Sequence, residues 1–414
     1  MVVDRTRRFE LPGIQDLNKD QDEALALPIE GPHLIIGGPG TGKSVMALLR
    51  ARRLAADVGQ TRYRFLTYNR LLDQASRHLF GDDLLTAWTL ETWFRRVWEE
   101  VQGHVPKLPP EPGSNFRAID WPAIERFLDD QDAWVPLTKR YRAPLPHLVI
   151  DEGQDMPKTF YRALAELGFE HIYVVADQNQ QLHPDRCSTR QDIQDMLGLD
   201  PSAVLELRAN YRNTRPIALL ARHFYPDDPA SPRPDLPAAK PSAGTPELWC
   251  YGNGEALTRG DVADRILQMA DRDPRKLIGV IVPNHDVRTK FLRALESADP
   301  TLDNGRPPLQ TYDSRSKEYV DFSQGGVMII NANACKGLEF DVAILADIDA
   351  HQPRNNDDTL KKRFYVMVTR AREQTILLRT GAANPVVDKL LPADPAVLVR
   401  RDASVEVLND DMPF

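Results

Sequence analysis

Cysteine is scarce in this chain. The 414 residues hold three, Cys187, Cys250 and Cys335, far apart and without a C-x-x-C pair. That excludes a disulfide framework and a thiolate zinc cluster, and it fits a reducing compartment. No apolar run approaches the roughly 18 residues of a spanning helix, so no membrane association is expected. Met1 to Arg8 is charged and lacks an apolar stretch, so a cytoplasmic protein without a secretory leader is expected. Positive charge is not in excess either: 52 Lys and Arg stand against 60 Asp and Glu, a net charge of −8. An indiscriminate phosphate-binding surface is thereby excluded, although a local basic groove is not. There is no internal repeat, which excludes solenoids.

What is present reads as an ordinary globular α/β chain, 42% hydrophobic and 27% charged, too long for one core and sized for two or three domains. Short Val- and Ile-rich runs at 34–36, 148–150, 172–175, 278–282, 327–330, 342–345 and 376–378 alternate with helical periodicity at 43–56, 158–167, 215–223, 256–270, 287–295 and 360–373. Apolar strands alternating with helices predict parallel sheets covered on both faces. The tract Pro226 to Pro246 holds seven prolines and reads as a linker or surface loop. Val105 to Pro146, with Trp121 and Trp134, is a second irregular stretch.

One motif sets the chemistry. The run Leu34–Ile36 leads into Gly37, Gly38, Pro39, Gly40, Thr41, Gly42, Lys43 and Ser44, which meets G-x-x-x-x-G-K-[ST] at every fixed position. Glycines let such a loop wrap phosphates with backbone N–H groups, and the helix that follows turns its positive end toward them. Lys43 is expected on the β- and γ-phosphates and Ser44 on Mg²⁺, with ATP as the nucleotide. The run at 148–150 ends in Asp151, Glu152, Gly153, Gln154, Asp155, at the carboxyl end of a strand, where open α/β sheets bind ligands. Asp151 is the expected second metal group, and Glu152 the general base for the attacking water.

With these residues in order, the chain resembles the UvrD/Rep-like branch of superfamily 1 helicases over roughly residues 14 to 380. The resemblance implies two RecA-like motor domains, at 1–200 with a small insertion near 100–146, and at 201–400 with the Pro-rich linker 226–246, followed by a tail at 401–414. It implies that Gln21, in Leu17–Gln21, reads the adenine. Gln180, in Val175–Gln180, then senses the γ-phosphate. Tyr211, in Asn210–Arg212, stacks on the adenine, and Arg212 reaches the γ-phosphate. Glu339, in Lys336–Asp341, lies near the nucleotide sugar, and Arg370, in Tyr365–Ala371, is the second arginine on the γ-phosphate. ATP held between the two domains then drives closure and release. Thr67, Tyr68, Asn69, Arg70 and Thr89 resemble the strand-contacting motifs, with hydroxyls and amides on phosphate and Tyr68 stacked on a base.

Several positions depart from the family pattern. Glu91 stands where histidine is common. His183, in Leu182–Arg186, replaces an aromatic pair. Asn331 and Asn333 replace Thr and His, and their amides are expected on phosphate. The two large accessory insertions are absent, so the chain resembles a compact form. The implied function is an ATP-dependent translocase or helicase on single-stranded nucleic acid, DNA being the expected track, with a protein partner conceivable for unwinding or nuclease action. The alternative is an ATP-gated regulatory subunit that binds nucleic acid or protein, hydrolyses slowly and does not move processively.

Overall fold

The apolar runs become strands in the computed structural model, which describes residues 3–7, 16–68, 87–110, 117–130, 145–181, 187–239, 244–252, 257–312, 320–352 and 357–401. The chain divides into two units. Each is built on a sheet whose strand pairings are all parallel, with helices on both faces, so the structure consists of two RecA-like domains.

The first sheet holds β1 (His33–Gly37), β2 (Tyr63–Thr67), β3 (Ala87–Thr89), β4 (His147–Ile150), β5 (Ile172–Ala176) and β6 (Leu205–Leu207), in the order β3-β2-β4-β5-β1-β6. Alternation of side chains along each strand splits its apolar residues between two cores. Leu34, Ile36, Leu148, Ile150, Val174 and Ala176 pack on one face, with Trp93, Phe94 and Trp98 of the helix Leu90–Gln102 and Phe160 of Lys158–Glu166. Ile35, Val149, Tyr173 and Val175 pack on the other, with Met46, Ala47 and Leu54 of the helix Lys43–Asp57. Strands apolar on both faces carry no helix-or-solvent compromise, which is why they read as unbroken runs.

The second sheet holds β7 (Glu247–Cys250), β8 (Leu277–Val282), β9 (Leu309–Thr311), β10 (Gly326–Asn331), β11 (Phe340–Leu345), β12 (Ala371–Arg379) and β13 (Val399–Arg401), in the order β13-β7-β12-β11-β8-β10-β9. Ile278, Val280, Val282, Ile329, Val342 and Ile344 pack under the helices Arg259–Arg272 and His285–Ser297. The helices Arg215–His223 and Asp357–Val368 contact each other and the strands β12 and β11.

Four sequence expectations shift. The domain boundary moves from 200 to 208, because β6 pairs with β1: Ile35 faces Leu205 and Gly37 faces Leu207. Residues 3–7 belong to the second unit; Thr6 forms an antiparallel bridge with Gln324, and the Arg7 guanidinium meets Asp341 at 3.1 Å. The expected helix 360–373 stops at Val368, since Ala371 onward is claimed by β12, which lies between β11 and β7. The irregular stretch near 100–146 contains a helix, Trp121–Asp129, capped by Asp120, whose Oδ1 accepts the Ala123 amide at 3.0 Å. Trp121 packs on Phe94 with ring centroids 4.8 Å apart, so this part completes the first core. Trp134 lies outside the described residues. No helix among the described residues is long and apolar enough to cross a membrane.

Candidate nucleotide site and nucleic-acid interface

At the end of β1 the chain turns through Gly38–Gly42 and enters the helix that begins at Lys43. Gly42 has φ 88° and so sits in the left-handed region, and a Cβ there would lie 2.5 Å from Gln21 Nε2. Only glycine meets both conditions. Gln21 is held from both ends of its amide. Its Oε1 accepts the Asn18 amide at 3.2 Å, and its Nε2 donates to the Thr41 carbonyl at 3.1 Å. Asn18 closes the capping box by accepting the Gln21 amide at 2.8 Å. The glutamine expected to read adenine therefore braces the phosphate loop here. Thr41 Oγ1 and Lys43 Nζ both donate to the Gly38 carbonyl, each at 2.8 Å. The loop's shape is thus set by its own side chains.

Asp151 and Glu152 follow β4 and are buried. Glu152 sits at φ 55°, a strained conformation for a residue with a Cβ, and its amide donates to Asp151 Oδ1 at 2.9 Å. Burial raises the Asp151 pKa, and the neighbouring Glu152 charge adds to the rise; a Ser44 hydrogen bond and the Lys43 charge oppose it. Asp151 Oδ2 is buried without a hydrogen-bond partner. A buried carboxylate oxygen left over beside a serine hydroxyl is a hard-oxygen pair, and it fits a Mg²⁺ ion that keeps most of its waters. Among the described residues no cluster of three or more His, Cys, Asp or Glu could hold a metal by itself.

Two residues given no role from sequence join these parts. Gln154 Nε2 donates to Glu152 Oε2 at 2.6 Å, and its Oε1 accepts the Asp177 amide at 2.9 Å. Asp177, fully buried, accepts Gln180 Nε2 at 2.7 Å and lies 3.6 Å from Lys43 Nζ. The phosphate loop, the acidic pair and the Gln180 loop are therefore one connected network. A carboxamide two residues after Asp-Glu was the available signal for Gln154. Asp177 could have been flagged by its place at the carboxyl end of β5.

In the second domain Tyr211 is 56% exposed. Arg212 is ion-paired with Glu339. Burial pushes the Glu339 pKa up, but the Arg212 charge and hydrogen bond, reinforced by Arg372 and Arg370, bring it below the ordinary value. Glu339, expected near the sugar, is here the partner of the expected arginine finger. Arg370 is 1% exposed; its Nε donates to the Val366 carbonyl at 2.9 Å and its Nη2 to Thr369 Oγ1 at 3.2 Å. Asn213 Nδ2 donates to the Ala371 carbonyl at 2.5 Å and supports the same turn.

The candidate nucleic-acid contacts separate. Tyr68, just past β2, is 37% exposed; it and Tyr211 are the large hydrophobic side chains that stand out among the described residues. Thr67 is fully buried, which corrects its expected phosphate contact: it shares the strand face of Tyr63 and Phe65, inside the core. Thr89 Oγ1 donates to Thr92 Oγ1 at 2.7 Å at the start of the helix Leu90–Gln102. Asn331 ends β10 with a buried, unpartnered Oδ1, and Asn333 is exposed. Asn69, Arg70 and His183 lie outside the described residues.

Residues 326–378 match the family profile described as the UvrD-like helicase C-terminal domain. Among solved structures, a similar chain is the C-terminal domain of a possible DNA helicase from Lactobacillus plantarum WCFS1. It is 18% identical, with coverage of 46% of this chain and 97% of that one at a TM-score of 0.32. No curated protein matches the chain. The profile spans β10, Lys336–Asp341 and Thr369–Ala371, and so takes in two of the strings that carried the resemblance in sequence. Those residues, seated in the second of two parallel α/β domains, are thus similar to the UvrD-like helicase C-terminal domain.

Proposed function

We propose that this protein hydrolyses ATP at the first domain's phosphate loop and uses the cycle to move along single-stranded nucleic acid, DNA being the expected track. The observation that carries the reading is the continuous network from Lys43 through Asp177 to Gln180 and from Asp177 through Gln154 to Glu152. It holds a phosphate-binding cation, a candidate base and a candidate γ-phosphate sensor in one rigid set. Phosphoryl transfer needs such positioning more than it needs covalent chemistry. Glu152 accepts the proton of the attacking water, Lys43 neutralises the terminal phosphate, and Gln180 registers its presence. Mg²⁺, held by Ser44 and Asp151, would supply charge for the phosphate oxygens.

Arg212 and Arg370 are the second domain's candidates for transition-state charge, a role that is worth ~10³ to 10⁵ in rate where it operates. Tyr68 and Tyr211 suit the binding roles because each presents an exposed aromatic face on which a base can stack. The test is steady-state ATP hydrolysis with and without single-stranded DNA, single-stranded RNA and duplex. Stimulation that grows with strand length supports translocation. Turnover indifferent to every nucleic acid would leave the motor reading without support and favour the regulatory alternative.

A further inference from the structure

Between Asp227 and Asp235 the chain leaves the second domain, and Asp228–Pro234 packs with the first. The exit is marked by Asp227 at φ 60°, a left-handed conformation that a residue with a Cβ keeps only where its surroundings hold it. A tight turn follows. Asp228 Oδ1 accepts the Ala230 amide at 2.9 Å, and the Ser231 amide donates to the Asp228 carbonyl at 3.2 Å. Pro229 presets the second turn position. The outcome is a strap that buries Ser231 and Pro234 and leaves Pro229 and Arg233 exposed.

Three contacts of the strap fall on the nucleotide loops. The Asp228 amide donates to Asn179 Oδ1 at 3.3 Å. Ser231 Oγ donates to Asp177 Oδ1 at 3.3 Å. The Pro234 ring lies against Gly38, where an added Cβ would be 2.2 Å from Pro234 Cγ. Asp177 is the node. Its carboxylate is served by the Asn179 amide at 3.0 Å, Gln180 Nε2 at 2.7 Å, Lys43 Nζ at 3.6 Å and Ser231. Lys43 and Gln180 are the two groups that a terminal phosphate would draw away. A buried carboxylate that loses them keeps its oxygens hydrogen-bonded only through its other donors.

We infer that Asp228–Pro234 is a working part of the nucleotide site, with Ser231 a positioning residue that holds Asp177 while Lys43 and Gln180 engage a terminal phosphate. The inference rests on the nucleotide reading above. The chain on both sides of the strap belongs to the second domain.

Affinities for adenylyl imidodiphosphate and for ADP, measured by calorimetry on the full chain with Mg²⁺, test it. Ser231→Ala should weaken the triphosphate analogue by about tenfold and ADP by no more than about twofold, because the lost hydrogen bond serves a charged group tied to the γ-phosphate side chains. Ser231→Thr, which keeps the hydroxyl, should restore the analogue. A purely structural role would weaken both ligands alike, and that result, or unchanged affinity for both, overturns the strap's role while wild-type binding stands. Wild-type protein that binds neither ligand overturns the nucleotide reading itself. Should Ser231→Ala fail to fold, hydrogen exchange at Ala230, Ser231 and Arg233 in the wild type decides. Slowing by the triphosphate analogue and not by ADP supports the strap; equal rates in both overturn it.

Discussion

Gln154 donates to Glu152 at 2.6 Å while its other amide atom accepts the Asp177 backbone N–H. One buried carboxamide therefore sets the orientation of the candidate base and ties it to the sensor loop. Gln154→Ala should lower kcat for ATP hydrolysis by about tenfold while changing KM little, since the lost contact orients a group used in the chemical step. Steady-state kinetics over a range of ATP concentrations separates the two. A rise in KM alone would assign Gln154 to binding.

Lys43 and Glu152 should fail in different ways. Lys43→Ala removes the ammonium proposed to meet the phosphates and should lose both nucleotide binding and turnover. Glu152→Gln keeps shape and hydrogen bonding, so nucleotide should still bind while turnover falls by at least about a hundredfold. Near-normal turnover in Glu152→Gln would falsify its assignment as the base.

Gly38 and Pro234 should show compensation. Gly38→Ala drives a methyl into the Pro234 ring, with Cγ at 2.2 Å and Cδ at 2.8 Å, whereas Pro234 Cβ lies at an ordinary 3.5 Å. The single variant should lower the thermal midpoint, with a cost of about 1–3 kcal/mol for overpacking. Adding Pro234→Ala removes the two close atoms and should recover most of the loss. A double variant no better than Gly38→Ala would mean that the ring is not what the methyl meets.

Arg370 should matter for stability as well as for turnover. Its buried guanidinium donates to Val366 and Thr369, so Arg370→Ala leaves buried acceptors unserved, at a cost of about 1–3 kcal/mol. Denaturant unfolding checks this directly. An Arg370→Ala protein as stable as wild type, yet inactive, would point to a purely chemical role.

Acid should weaken the second domain through His351. The side chain is buried, neither ring nitrogen has a hydrogen-bond partner, and it packs on Phe364 with ring centroids 5.6 Å apart. Burial, with the Arg363 charge adding to it, pushes its pKa down to about 3. A histidine depressed in the folded state contributes stability that is present above its ordinary value, about 6.5, and is lost as pH falls toward the folded value, because the unfolded chain takes the proton first. The thermal midpoint should drop between about pH 7 and pH 5, and less so in His351→Phe, where nothing titrates. Parallel declines in the two proteins would place the acid sensitivity elsewhere.

Much of this molecule was legible before its structure. Strand stretches buried on both faces are largely apolar, so the apolar centres of β1, β4, β5, β8, β10, β11 and β12 stand out as runs. The phosphate loop and the Asp151–Glu152 pair are equally plain, because their chemistry depends on neighbours along the chain. The short strands β6 and β13 and the residues 3–7 carry no such signal, for their place is decided by pairing with segments far away in sequence.

The same division runs through the site. The amino-acid sequence by itself determined which residues are candidates to wrap a phosphate, since local spacing dictates that loop. Only the tertiary structure decided that Thr67 is buried, that Arg212 meets Glu339, that Gln154 and Asp177 join the loops, and that Ser231 and Pro234 of a proline-rich linker lie on them. Those contacts link residues from 2 to 196 positions apart. Their geometry exists only once the sheets are assembled and the loops at the strand ends are brought side by side.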